Sequence, residues 1–159
     1  INSGLMLVGN YGSKYRFNYS VMGDQVNVAS RLEQLGKVYG IEMMIGEGTA
    51  DLIGSDFLLR ELDRVRVKGR KQALRIYELL GVAGAALPPE QAQMLTLYAS
   101  ALDAYRSRRW DDAKALFEQC LVLWPADGPS RVMAERCRAM RGAPPPQEWD
   151  GSFEHLTKG

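Results

Sequence analysis

The sequence predicts an α+β fold, in which an α/β sandwich with a mixed sheet precedes a small all-α helical hairpin module. Within residues 1–82, short apolar runs bounded by glycines alternate with stretches of helical periodicity. Residues 83–89 are small and end in two prolines, which is typical of a linker. From residue 90 to residue 142 the apolar side chains recur at helical intervals, and residues 143–159 form a Pro-led tail.

Two strands and one helix are predicted within the first 40 residues. Residues 4–10 are an apolar run between glycines, which favours a buried strand, and the strand pattern resumes at residues 19–22. The polar stretch 11–18 between them predicts a turn or a hairpin loop. Residues 26–39 then predict a helix that ends at Gly40. Its expected sheet-facing side chains, spaced by three and four residues, are Val28, Leu32, Leu35 and Tyr39.

Residues 42–82 complete the predicted sandwich. Apolar runs and bounding glycines predict three further strands and one short helix: strands over residues 42–45, 57–67 and 73–80, and a helix over residues 46–54. Charges of both signs occur in the second of these strands, and we expect them on an exposed face of the sheet: Glu61, Asp63, Arg64 and Arg66.

The helical module is predicted to contain three helices, over residues 90–108, 110–123 and 130–141. Its first two helices resemble one tetratricopeptide repeat, which is two antiparallel helices followed by proline. The residues that carry this resemblance are Tyr98, Leu102, Tyr105, Trp110, Ala113, Phe117 and Pro125. A single repeat cannot bury its apolar face alone, so the third helix would cap it. A plain helical hairpin packed on the α/β region explains the pattern equally well.

Structural roles are expected for the remaining tryptophans and for the cysteines. We expect Trp124 in the core of the helical hairpin, whereas Trp149 and Phe153 would anchor the tail. Cys120 and Cys137 lie in helical segments without metal-type spacing, so we interpret them as buried thiols in a reducing compartment.

The composition is that of a globular protein, with 46% hydrophobic and 25% charged residues. A net charge of +1 indicates no strongly basic surface and argues against a nucleic-acid partner. No apolar run approaches the roughly 20 residues that span a bilayer, and we expect a cytoplasmic location. The chain begins with Ile1 rather than Met, and we interpret it as part of a longer protein. Whether that longer protein carries a membrane anchor stays open.

A sharp strand-to-helix turn at Gly23-Asp24 precedes a candidate binding site. Asn27 and Arg31 lie one turn apart on one face of the predicted helix. A guanidinium offers a rigid fork of donors suited to phosphate, and an amide both donates and accepts, so the two can reach the same ligand. An ordinary amphipathic helix, N-capped by Asp24 and with these polar residues in water, is the alternative interpretation.

Four motifs in this order resemble the C-terminal half of the catalytic domain of class III nucleotidyl cyclases. The motifs are Ile1-Asn2-Ser3-Gly4, Val8-Gly9-Asn10, the long Gly23-Asp24-x-Val26-Asn27-x-Ala29-x-Arg31-Leu32-Glu33, and Val67-Lys68-Gly69. The resemblance implies a partial ferredoxin-like fold, the cyclase palm, over the first 82 residues. It also implies a role in converting a nucleoside triphosphate to a cyclic nucleotide and pyrophosphate during signalling.

The resemblance assigns a role to four side chains. Asn27 would orient the ribose, and Arg31 would stabilise charge at the reacting phosphate, so both are candidate catalytic residues. Lys68 would contact the terminal phosphates. Ser20 stands where many members carry Asp or Thr to hydrogen-bond adenine, whereas guanylyl members tend to have Cys, so we favour ATP over GTP.

The same resemblance implies that the metal ligands lie outside this chain. Two aspartates carry Mg²⁺ or Mn²⁺ in the family, and both belong to the half that precedes the first motif. We therefore expect no metal ligand here, no activity of this chain alone, and a homodimer for the complete enzyme. The alternative is a non-catalytic nucleotide-binding or protein-interaction module on a degenerate cyclase scaffold, with the helical module binding a protein partner.

Overall fold

The computed structural model describes residues 1–67 and 72–155, which form six strands in two sheets and five α-helices. In chain order these are β1 Leu7–Ser13, β2 Arg16–Met22, α1 Asp24–Tyr39, β3 Met44–Gly46, α2 Glu47–Ile53, β4 Phe57–Val67, β5 Leu74–Val82, α3 Pro89–Arg106, α4 Trp110–Leu123, α5 Gly128–Gly142 and β6 Phe153–His155. Among the described helices, none combines the length and hydrophobicity that crossing a membrane requires.

The first two strands form a separate antiparallel hairpin, in register from Leu7 opposite Met22 to Ser13 opposite Arg16. The predicted loop over residues 11–18 is therefore wrong, because the strands continue through most of it. The predicted burial of the first strand is also wrong, since Leu7 is 70% exposed. Tyr15, Phe17 and Tyr19 alternate with polar residues, which is a strand pattern, but the polar composition and the glycine of this stretch favoured a loop.

The main sheet has the strand order β3-β5-β4-β6. Its first three strands pair antiparallel, whereas β6 pairs parallel with β4, so the sheet is mixed as expected. The predicted tail had no strand. Three residues are too few to show an alternating pattern, and β6 forms because the exposed edge of β4 supplies the backbone partners.

Helix α1 confirms the strongest of the sequence-based predictions. Its four expected apolar side chains are buried, and Gly40 ends the helix in the left-handed conformation at φ 66°, where glycine is favoured. The predicted N-cap is wrong, since Gly23 occupies that position and Asp24 lies in the first turn. The Asp24 carboxylate is still stabilised there by the positive end of the helix dipole.

One core of buried side chains runs through α1, the main sheet and the three C-terminal helices. Its largest members include Tyr39, Tyr98, Tyr105 and Phe117. The prediction of core packing for Trp124 is wrong, because this residue follows the last turn of α4 with non-helical backbone angles and remains 36% exposed. The division into an α/β domain, a linker and a tetratricopeptide-like module stays a prediction.

The expected exposed charges of β4 include one that is buried. The register with β5 shifts between Glu61 and Asp63, so Leu62 is an extra residue in the strand. Such a bulge interrupts the alternation of side chains between the two faces, and both Leu62 and Asp63 are buried. The prediction of an exposed face is therefore wrong at Asp63, which faces the C-terminal helices.

Buried charges join β4 to the C-terminal helices in both directions. Asp63 of β4 accepts a hydrogen bond from Arg136 of α5, and the two side chains form an ion pair. Arg60 of β4 donates to Asp127, the N-cap of α5, at 2.8 Å. Burial alone would lower the pKa of Arg60, but the carboxylates of Asp127 and Glu78 raise it. Each side thus contributes one guanidinium and one carboxylate.

The C-terminal segment is anchored as the sequence predicted. The Trp149 ring packs against Tyr105 and Trp110, with centroids 5.3 and 5.4 Å away. The guanidinium carbon of Arg136 lies 3.8 Å from the centroid of the Phe153 ring. Arg108, in the left-handed conformation at φ 62° between α3 and α4, donates to the carbonyl of Pro146 at 2.9 Å, so the segment is held at Pro146 as well as at Trp149 and Phe153.

Replacing Arg136 by Met should lower the free energy of unfolding by about 3–5 kcal/mol, because Asp63 would be left as a buried charge without its ion-pair partner. Arg138→Met is the matched control, since Arg138 lies on the same helix with its side chain 59% exposed. We expect that control to change stability by less than about 0.5 kcal/mol. Urea denaturation measures both, and equal losses would contradict the role of the buried pair.

Both cysteines should resist thiol reagents until the protein unfolds. They are free and buried, which confirms their interpretation as buried thiols, and burial raises the pKa to about 11 for Cys120 and about 12 for Cys137. At pH 8 almost no reactive thiolate would be present. Reaction with Ellman's reagent should therefore be absent in the native protein and reach two thiols in denaturant. A thiol that reacts within seconds under native conditions would refute this.

Candidate functional site

The helix α1 presents the two central candidate residues to solvent. Asn27 is exposed and Arg31 half-buried, and they lie four residues apart, while Val28 and Leu32 beside them point into the core. Among residues 1–67 and 72–155, neither Asn27 nor Arg31 has a side-chain hydrogen bond or an ion pair. An amide and a guanidinium with unused donors therefore share one helix face.

The turn before α1 has a backbone conformation and a close approach that favour glycine. Gly23 has φ 152°, and a Cβ atom there would lie 3.3 Å from the carbonyl oxygen of Leu5. The side-chain amide of Asn2 donates to the backbone oxygen of Gln25 at 3.0 Å and to its side-chain oxygen at 2.9 Å. These contacts fix the first turn of α1 and thus the direction of Asn27.

Sequence reasoning missed the contact between Asn2 and Gln25. It noted Asn2 only as part of a short motif, and no spacing rule links two residues that lie 23 positions apart. Their proximity arises because the segment before β1 runs beside β3, where the N–H of Gly46 donates to the carbonyl of Ile1 at 3.0 Å.

Ser20 lies near the end of β2, three residues before Gly23. It is exposed and pairs with Gly9 of β1. Because Gly9 has no side chain and no other atom fills the space where one would be, the surface beside the Ser20 hydroxyl is open. The hydroxyl can both donate and accept, as recognition of a polar base edge requires.

The structure thus places three of the four predicted residues on one connected segment, β2 followed by α1. The fourth, Lys68, lies outside the described residues. Strand β4, which leads towards it, ends at Val67.

The three described site residues do not fit a divalent metal. Mg²⁺ and Mn²⁺ prefer carboxylate and other oxygen ligands, whereas Arg31 brings a positive charge and only Ser20 and Asn27 offer neutral oxygens. Within the described part of the chain, no three His, Cys, Asp or Glu side chains are grouped as a metal site would need.

The hairpin beside the site exposes a large apolar surface. Its two strands pair with each other and with no other described strand. Leu5 is 95% exposed and Tyr19 is 76% exposed, and other large side chains around them are also in solvent: Leu7, Val8, Tyr15, Phe17 and Met22. Large exposed apolar surfaces often mark interaction sites.

Comparison with known proteins shows similarity to nucleotidyl cyclases. The family described as the adenylate and guanylate cyclase catalytic domain matches residues 1–81. The terminal-differentiation-specific adenylate cyclase of Dictyostelium discoideum is 32% identical over 140 residues, which cover 86% of this chain and 7% of that protein. Adenylate cyclase 1 of Rhizobium meliloti is 41% identical over 85 residues, 54% of this chain and 13% of that protein.

A solved structure is also similar. The crystal structure of the guanylyl cyclase Cya2 has 31% sequence identity and a TM-score of 0.45, and the similarity covers 52% of this chain and 41% of that one. The chain spans less than a fifth of the length of each of the two adenylate cyclases named above.

The family match bears out the resemblance found in the four sequence motifs, and the predicted fold class, an α+β cyclase palm portion followed by helices, is confirmed. The 140 residues matched by the Dictyostelium protein exceed the 81 of the family match, so similarity continues into the helical segment. The chain belongs to the adenylate and guanylate cyclase catalytic-domain family.

Proposed function

We propose that residues 1–81 form the C-terminal half of an adenylate cyclase catalytic domain, which converts ATP to cyclic AMP and pyrophosphate in cyclic-nucleotide signalling. The observation that carries the proposal is the pair of Asn27 and Arg31, one turn apart on α1, whose side chains make no hydrogen bond to any described residue. Both curated relatives described above are named adenylate cyclases, which favours ATP over GTP.

The resemblance to the family supplies each proposed role, and the chemistry of the side chain suits it. Cyclisation moves negative charge onto the phosphates as the ribose hydroxyl attacks, and the guanidinium of Arg31 stabilises that charge. The Asn27 amide holds the ribose in place for in-line attack. The Ser20 hydroxyl hydrogen-bonds adenine, and Lys68 binds the terminal phosphates.

The site needs a second polypeptide segment to become active. A divalent cation, Mg²⁺ or Mn²⁺, supplies charge neutralisation at the phosphates when bound, and its ligands come from outside this chain. This chain alone is therefore inactive. A homodimer of the complete protein in the cytoplasm is the assembly we favour, since the apolar surface of the β1–β2 hairpin needs a protein cover.

Replacing Arg31 by Ala in the full-length protein should lower kcat about 10²–10³-fold, because one preorganised donor to developing charge is lost. Lys37→Ala is the matched control, since Lys37 lies on the same helix, is 76% exposed and pairs with Glu33 on the surface. That control should keep wild-type activity. Steady-state cyclic AMP formation measures both, and full turnover by the Arg31 variant would remove the proposed catalytic role.

Replacing Ser20 by Ala should lower kcat/KM for ATP about tenfold, because one hydrogen bond to the base is lost. Ser13→Ala changes the same residue type at the far end of the hairpin and should have no effect. Parallel assays with ATP and GTP test the substrate directly. A wild-type preference for GTP would overturn the assignment to adenylate cyclase.

A further inference from the structure

We propose that the buried cluster of Tyr39, Asp63 and Arg136 positions the nucleotide site, because it lets α5 hold the C-terminal end of the helix that carries Asn27 and Arg31. Tyr39 and Arg136 are thus positioning residues. The C-terminal helices then act as part of the catalytic domain. This inference rests on the proposed function and adds a role for residues outside the family match.

The cluster is a closed set of hydrogen bonds in the core. The Tyr39 hydroxyl donates to the Asp63 carboxylate at 2.6 Å and accepts from Arg136 at 2.9 Å. Arg136 also donates to the same carboxylate oxygen of Asp63. Relative exposure is 0% for Tyr39, 1% for Asp63 and 7% for Arg136. Burial, and then the Asp63 charge, raises the pKa of Tyr39, so its hydroxyl remains a proton donor.

A second contact joins the same two helices. Gly128, the first residue of α5, packs so closely on the end of α1 that a Cβ atom there would lie 2.1 Å from the carbonyl oxygen of Tyr39. The amino end of α5 therefore meets the carboxyl end of α1, where the two helix dipoles attract each other. Helix α5 thus contacts α1 at its first residue and again, two turns later, through Arg136.

The geometry of α1 explains how this contact reaches the site. Tyr39 lies eight residues after Arg31, about 12 Å along a continuous helix at 1.5 Å per residue. The apolar contacts of Val28, Leu32 and Leu35 hold the helix on the sheet but are not directional. Hydrogen bonds at Tyr39 are directional, so they fix the rotation of α1 about its axis. A rotation displaces the half-buried side chain of Arg31, and small displacements of a catalytic group lower the rate strongly.

The test compares two tyrosines that each make a buried hydrogen bond to β4. Tyr39→Phe removes the bond to Asp63, and Tyr98→Phe removes a bond of 2.9 Å to the carbonyl of Leu62 in the same bulge. Both side chains are fully buried, but only Tyr39 belongs to α1. In the full-length protein, Tyr39→Phe should lower kcat about tenfold with little change in KM for ATP. Tyr98→Phe should shift the melting temperature similarly and keep kcat.

A second measurement on this chain requires no turnover. Hydrogen exchange of the amides in α1, followed by mass spectrometry, should be faster in Tyr39→Phe than in the wild type and unchanged in Tyr98→Phe. Wild-type kcat in Tyr39→Phe, an equal loss of kcat in both variants, or unchanged exchange in α1 would each overturn the inference. A full-length wild-type protein that forms no cyclic nucleotide would refute the proposed function, and the exchange data would still decide the positioning role.

Discussion

The ion pair between Asp63 and Arg136 is the constraint on which the arrangement of the chain depends. A buried charge is tolerated when its partner is present with suitable geometry, and here each partner comes from a different part of the chain. The pair of Arg60 and Asp127 repeats this requirement with the charges exchanged. Since both pairs form only when the C-terminal helices lie on β4, they select one docking geometry among the many that apolar packing alone would allow.

The limits of the family match do not coincide with the limits of the core. The match ends at residue 81, whereas the buried side chains continue from α1 and the sheet into α3, α4 and α5. Similarity to the Dictyostelium adenylate cyclase also continues beyond that residue. A helical segment that shares its core with a cyclase palm is better placed to support the palm than to bind partners through its own apolar face.

Prediction from sequence was most successful where one face of an element is buried. The helix α1 was recognised because Val28, Leu32, Leu35 and Tyr39 recur at the helical period and all face the core. The relative placement of the site residues Asn27 and Arg31 was predicted as well, since it follows from the helix itself. Only the structure shows that they have no partners within the described residues and that the surface beside Ser20 is open.

Features that depend on distant contacts were not visible in the sequence. The bulge at Leu62 reverses the expected direction of Asp63, and bulges have no short sequence signature when they contain no glycine. The β1–β2 hairpin lacks a buried face, so it contains no long apolar run that would have predicted two continuous strands. Trp124 was expected in the core of the helical hairpin, yet it follows the end of α4, and leaving the helix takes its side chain away from the packed face.

The parallel pairing of β6 with β4 has a consequence for synthesis on the ribosome. Strand β4 emerges early, but Val65 meets its partner Phe153 only after the intervening helices have been translated. At about 5–20 residues per second, this edge stays unpaired on the nascent chain for on the order of 5–20 seconds. An unpaired edge can accept a strand from another molecule, so association with a chaperone during translation would benefit this chain in particular.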